Sequence, residues 1–318
     1  MKILLHSNQL NLGGTETALW DYALGCWELL GHHVVIASPH GGVHHPGIVE
    51  KFCSRFPVIL YPPGTLSLHA KYLGVDAAYF ITDGRRNEEL LIPGIRNVVH
   101  AVFSFYEPHG DVYAYVSEWL AQTASGGKCP WVPHIVRPLP NGTGGLRAKL
   151  GIPEKAIVFG GYGRQGQFDI PFVHEAVKKV ASSLPVYFLF MNFTPFAPAA
   201  KNLIFLPGTA LPAEKASFID ACDAMLHARS EGETFGLAVA EFSMRNKPVI
   251  TYGESRDRAH LAMLGNKAHV YHNYSELVIM LATFERAYHR MDSHDWNAYH
   301  DFSPTKVMAK FDSVFLKA

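Results

Sequence analysis

The chain has 318 residues, 48% of them apolar and 18% charged, and its 28 Lys and Arg balance its 28 Asp and Glu. That composition specifies folded globular domains, one large or two of medium size, and it lacks the basic excess of a dedicated nucleic-acid binder. No apolar run reaches the ~18 residues of a membrane-spanning helix, and Met1-Lys-Ile-Leu-Leu-His6 turns polar too soon for a secretory signal. Cys26, Cys53, Cys129 and Cys222 are scattered with no Cys-x-x-Cys pair, so a cytoplasmic protein with reduced thiols is expected.

Taken in order, the elements read as βα repeats. A strand is predicted over 2–6, a loop over 7–14 and a helix over 15–30, with Leu19, Tyr22, Trp27 and Leu30 as its buried stripe and Gly31 closing it. Strands follow over 34–38, 57–61, 77–81, 97–102 and 112–116. Most are short continuous apolar runs, the pattern of a parallel sheet covered on both faces. His40, His44 and His45 fall in a segment broken by Gly41, Gly42 and Pro46 and are expected to be exposed loop residues, not metal ligands. Ser117 is placed to cap a helix over 117–124.

From 126 to 145 the chain is rich in Gly and Pro and loses periodicity, which marks a domain boundary. We read a first domain over 1–138, a linker over 139–150 and a second domain over 151–301. The second series has strands over 156–159, 186–191, 203–206, 224–228 and near Val249, with helices over 172–182, 213–221 and from Gly236 onward. Amphipathic helices are predicted over 275–289 and 303–315. Two consecutive βα series imply an α/β protein of two Rossmann-like parallel-sheet domains facing across a cleft.

The most informative stretch is Arg229-Ser-Glu-Gly-Glu-Thr-Phe-Gly-Leu-Ala-Val-Ala-Glu241. It follows a predicted strand and leads through a helix into Lys247-Pro-Val-Ile-Thr251. Gly236 and Leu237 stand where the helix starts, and its first amides have no internal partner and lie at the positive end of the dipole, which suits an anion such as a diphosphate. Glu233 sits ahead of the helix. Glu241 lies on it, about 7 Å beyond Gly236 at the usual rise per residue.

With these pieces in their order, the sequence resembles the retaining glycosyltransferases of family 4, which have the GT-B fold. The resemblance spans nearly the whole chain: Asn11-Leu-Gly-Gly-Thr-Glu16, Gly31-His32, His100, Val116-Ser-Glu118, Gly160-Gly-Tyr-Gly-Arg164, Leu206-Pro-Gly208, Ser230 through Glu241, and Asn246-Lys-Pro-Val-Ile250. It implies transfer of a hexose, with retention, from GDP-mannose or a UDP-hexose to a carbohydrate acceptor. It places Gly13, Gly14, Arg164, Gln167, Gly208, Glu233, Phe235, Gly236, Leu237 and Glu241 around the donor, with His100, Glu233 and Arg164 at the reacting centre. Glu241 would accept from the ribose hydroxyls, Glu233 would hold the transferred sugar and His100 would contact it; Phe235 reads first as a packing residue. The helix over 302–318 would cross back to the first domain.

One departure stands out: the family's Lys a few residues after the Gly-Arg element is missing from Arg164-Gln-Gly-Gln-Phe-Asp169. A non-catalytic nucleotide-sugar binder is therefore an alternative, as is a GT-B epimerase. No Asp-x-Asp triplet occurs, so neither a metal nor another cofactor is expected. Gly161-Tyr-Gly-Arg-Gln-Gly166 also matches a dinucleotide-binding pattern, but the strand over 186–191 runs into Asn192 where that pattern needs an acid. Acceptor contacts are expected from loops over 41–47, 64–71 and 82–93, where Arg85 and Arg86 could meet an anion but read first as solvated loop charges. The oligomeric state has no signature in the sequence.

Overall fold

The computed structural model describes residues 1–285 and 294–317. It divides into two compact units, Met1–Ile135 with Phe302–Ala318, and Val136–Asp301.

The first unit is built on a six-stranded parallel sheet. Its strands are β1 (Lys2–His6), β2 (His33–Pro39), β3 (Val58–Tyr61), β4 (Ala77–Thr82), β5 (Arg96–Ala101) and β6 (Val112–Tyr115), in the order β3-β2-β1-β4-β5-β6. In register, Leu4 pairs with Val35 on one side and Ala78 on the other. Every residue of β4 is buried, as a doubly covered strand requires. The covering helices are α1 (Gly14–Glu28), α2 (Pro46–Cys53), α3 (Leu66–Leu73) and α4 (Glu118–Ser125). Ser117 caps α4 by accepting from the Leu120 amide at 3.1 Å.

The second unit repeats the plan. α5 (Leu146–Lys149) leads into β7 (Ile157–Tyr162), α6 (Pro171–Ser183), β8 (Val186–Met191), β9 (Leu203–Leu206), α7 (Pro212–Ala221) and β10 (Ala224–His227). After these come β11 (Gly232–Glu233), α8 (Leu237–Met244), β12 (Val249–Tyr252), β13 (Asp257–Arg258), α9 (Ala259–Leu264), β14 (Ala268–Tyr271) and α10 (Tyr274–Ala282). The main sheet has the order β14-β12-β10-β7-β8-β9, all parallel, while β11 and β13 pair separately. Phe159, Phe188, Phe190 and Leu226 form its buried centre with Val173 and Val177 of α6. Strand order reverses at β7, with β8 on one side and β10 on the other, so the loops leaving β7 and β10 part at the carboxyl edge. That is where α/β sheets bind ligands.

Several expectations are corrected. Trp27 is not part of the α1 stripe: it is 42% exposed with the Arg55 guanidinium 3.9 Å over its ring, and Ala23 and Cys26 are buried beside Leu19 and Tyr22 instead. The segment read as a loop over 64–71 contains α3, and α2 begins at Pro46 within the one read over 41–47. Residues 139–150 are packed into the second unit. The Thr143 amide donates to Ser217 Oγ at 2.7 Å, and the Arg147 guanidinium reaches Asp223 at 2.9 Å and the carbonyls of Ala221, Glu154 and Ala156. The helix expected over 275–289 is described as α10, ending at Ala282; 286–293 lie outside the described residues. The last helix, α11 (Pro304–Phe311), belongs to the first unit, where Phe311 packs on Tyr22 and Tyr79, each at 5.3 Å between ring centres.

Candidate functional site

The loops at the carboxyl edge of the second sheet are tied together by side chains. After β7, the Arg164 amide donates to Gln167 Oε1 at 3.0 Å and the Gln167 amide returns a bond to the Arg164 carbonyl at 3.1 Å. Gln167 thus spends its side-chain oxygen on closing its own turn, with the Arg164 side chain exposed on that turn. Gly163 is needed by close approach: a Cβ there would sit 2.7 Å from the Phe193 ring. Asn192, at the end of β8, donates from Nδ2 to the Gly163 carbonyl at 2.7 Å, and Gly208 beyond β9 lies against the same side chain. The position where a dinucleotide fold would present an acid instead links three loops. Asp169 fastens the β7 loop to the β10 loop, accepting from the Ser230 amide at 2.7 Å and from its hydroxyl.

Glu233 emerges from β11 between two cationic or polar donors. Its Oε2 is 3.2 Å from an Arg229 guanidinium nitrogen and its Oε1 is 3.4 Å from His227 Nε2. Burial alone would raise its pKa, but the His227 hydrogen bond and the Arg229 charge outweigh it and hold the carboxyl at about 2. Glu233 is therefore a fixed anion at neutral pH. It suits accepting hydrogen bonds from hydroxyls and does not suit donating a proton.

Gly236 follows with φ 89°, a left-handed conformation, and a Cβ there would lie 3.2 Å from His260 Cβ and 3.3 Å from Glu233 Cβ. It opens α8, which has no side-chain cap at its start. The amides of Leu237 and its neighbours are thus presented to an anion beside Glu233. One turn further along, Glu241 is 8% exposed. Its Oε1 accepts from Lys215 Nζ at 2.8 Å and its Oε2 accepts from the Tyr162 hydroxyl. Tyr162 ends β7 with its ring stacked on Phe242 at 5.8 Å.

The structure thus brings Glu233, Gly236, Leu237 and Glu241 together on one loop and helix, and joins the Arg164–Gln167 turn to Gly208 through Asn192. Phe235 is a core residue, 2% exposed, with its ring 5.8 Å from that of Tyr299 and its carbonyl accepting the Tyr299 hydroxyl at 3.2 Å. Gly13 and Gly14 lie in the first unit at the start of α1, which also has no side-chain cap; the Gly13 carbonyl accepts from the Thr17 hydroxyl at 3.0 Å.

His100, expected to contact a sugar, is fully buried within the first unit. Nδ1 pairs with the Tyr79 hydroxyl at 2.7 Å and Nε2 with the Val132 carbonyl at 2.8 Å, and Phe315 from the chain's end stacks edge-on at 5.2 Å. Burial lowers its pKa to about 4. It is a hydrogen-bonded core histidine with both ring nitrogens engaged, so the expectation of a sugar contact is withdrawn. Arg85 and Arg86 are likewise engaged, Arg85 with Asp83 at 3.2 Å and over the Phe105 ring at 3.9 Å, Arg86 with Glu88.

Sequence reasoning did not find Lys215, Tyr162 or His227, and it left Arg229 without a role. His227 did carry a signal, since it is the polar member of an otherwise apolar strand. Among the described residues no three His, Cys, Asp or Glu side chains group as metal ligands, and no helix is long and apolar enough to cross a membrane.

No protein-family model and no curated protein sequence matches the chain. Solved structures share its fold. HepE of Anabaena, solved with UDP-glucose, aligns with a TM-score of 0.77 at 14% identity over 100% of both chains. WaaG, a glycosyltransferase involved in lipopolysaccharide biosynthesis, gives 0.71 at 15% identity, covering 99% of this chain and 100% of its own. A glycosyltransferase from Rickettsia africae gives 0.69 at 12% identity over 100% and 99% of the two chains. The architecture of two parallel sheets flanked by helices is therefore that of the GT-B glycosyltransferases.

Proposed function

We propose that the chain is a hexosyltransferase that moves a sugar from a nucleotide-diphosphate donor to a carbohydrate acceptor, with retained anomeric configuration and without a metal. The observation that carries this reading is the start of α8. Uncapped amides follow a left-handed glycine, with an ionised carboxylate just before them and a second, buried one on the helix. A leaving diphosphate needs fixed donors and cations. The Leu237 end of α8 would supply the amides, and Arg164 the guanidinium. Glu233 would accept from hydroxyls of the transferred sugar, and Glu241 from those of the ribose. Retention is assigned to a front-face route in which Glu233 orients the sugar and forms no covalent bond.

HepE was solved with UDP-glucose, which favours a UDP-hexose over GDP-mannose as the donor. A calorimetric screen of UDP, GDP, ADP and their common sugars, followed by assay of donor hydrolysis and transfer, tests the proposal. Binding of one nucleotide sugar with slow hydrolysis is expected. A protein that binds none of them does not have this function. The absence of a Lys after Arg164 favours one second reading, a non-catalytic nucleotide-sugar binder, for which binding would occur with no turnover across acceptors.

A further inference from the structure

Behind Glu233 lies a buried polar chain that the proposed transfer does not itself require. His227 Nδ1 is 2.9 Å from Thr251 Oγ1, and the same oxygen is 3.0 Å from His260 Nε2. The two imidazoles are 4.8 Å apart between ring centres. His260 and Thr251 are fully buried and His227 nearly so. The remaining nitrogen, His260 Nδ1, is buried and makes no side-chain hydrogen bond, and the Glu233 backbone carbonyl is the acceptor on that side of the ring.

With both rings neutral, these contacts allow one set of protons. Glu233 is an anion, so His227 Nε2 must carry hydrogen to face it at 3.4 Å. A neutral His227 then has a bare Nδ1, which must accept from the Thr251 hydroxyl. Thr251 has one hydrogen to give, so its oxygen must accept from His260, and His260 Nε2 carries the proton. His260 Nδ1 is then bare. Burial favours the neutral ring.

We infer that His227 is a positioning residue for Glu233, held by a one-directional hydrogen-bond chain from His260 through Thr251, which keeps the Glu233 carboxylate ionised and fixed in orientation. The inference rests on the reading of Glu233 as the sugar-holding anion. The chain spans β10, β12 and α9, so the carboxylate is anchored to the main sheet and not only to its loop. The other groups facing Glu233 are Arg229 and Tyr299. Arg258, its register partner on β13, is committed to Glu254 at 3.2 Å.

The first test uses the full chain labelled with ¹⁵N-histidine, the two rings being assigned by His227→Gln and His260→Gln spectra. At neutral pH both rings are expected as neutral Nε2–H tautomers. An Nδ1–H tautomer or a charged ring at either position overturns the chain, whether or not the protein turns over any donor. The second test is Thr251→Val with UDP-glucose. Turnover is expected to fall about tenfold, the worth of one hydrogen bond, with donor KM within about twofold. Thr251→Ser is expected to restore the rate. An unchanged rate in Thr251→Val, or a loss that Thr251→Ser does not restore, would overturn the positioning role. Absence of turnover in the unmodified protein would count against the transferase reading alone, since the tautomers still decide the chain.

Discussion

Lys215 Nζ lies 2.8 Å from Oε1 of Glu241, with the two side chains 20% and 9% exposed, and so joins α7 to α8 beneath the proposed ribose position. The Tyr162 hydroxyl occupies the other carboxylate oxygen. The carboxylate is held on both sides before any ligand arrives, and a ribose hydroxyl would meet an oriented acceptor with its remaining lone pairs. Lys215→Met keeps the stem and deletes the charge, leaving a largely buried carboxylate with one strong donor fewer. We expect a loss of stability of about 1–3 kcal/mol and weaker nucleotide binding. Denaturant unfolding and calorimetry with UDP would measure both, and unchanged values would remove the pair from the site.

Glu233 is expected to behave differently. Its partners Arg229 and His227 position it ahead of α8, where the sugar and not the ribose is proposed to lie. Glu233→Gln keeps the shape and removes the anion. Turnover should fall by about a hundredfold or more while affinity for the bare nucleotide changes little. A rate within a few-fold of the unmodified enzyme would separate Glu233 from the chemistry.

How far was this legible in sequence? The strands of both main sheets, β14 excepted, were, because a doubly covered parallel strand is a run of consecutive apolar residues, as in Val186–Met191. β14 was not, since only its last residue is buried, and β11 and β13, two residues each, leave no pattern. The eight-residue helices α2 and α3 hid behind their flanking Gly and Pro, with too few turns to show a period. Glu233, Gly236 and Glu241 were legible because they are local to one loop and helix. The partners that fix their chemistry were not, because Tyr162 meets Glu241 across 79 positions and Lys215 meets it across 26. His100 was misread for the same reason. Its cover, Phe315, arrives from the far end of the chain.

That burial has a consequence for pH. Desolvation lowers the pKa of His6 and His260 to about 3 and of His100 to about 4, against an ordinary 6.5. In the folded protein these rings stay neutral as pH falls below 6.5, while the unfolded chain takes up their protons. Stability is therefore complete above about 6.5 and lost progressively down to about 4 or 3, by about 1.4 kcal/mol per pH unit for each ring. Glu233 adds to the loss at a lower window, between its ordinary 4.5 and about 2. Its stabilisation is present above 4.5 and disappears as pH falls through the folded value. Urea unfolding between pH 7 and 4 should show the midpoint falling steadily. A flat midpoint over that range would contradict neutral buried histidines.

Gly236 tests whether the start of α8 is the anion site. Its φ of 89° is one that an L side chain adopts only with strain, and an added Cβ would press on His260 and Glu233 at 3.2 and 3.3 Å. Gly236→Ala should therefore cost about 1–2 kcal/mol of stability and, by shifting the first turn, weaken UDP binding more than it weakens uridine binding. The contrast between those two ligands isolates the diphosphate, because both carry the same base and ribose. Equal losses for the two would mean that the substitution disturbs the unit generally and that the diphosphate lies elsewhere. A selective loss with UDP would tie the charge of the leaving group to the Leu237 amides.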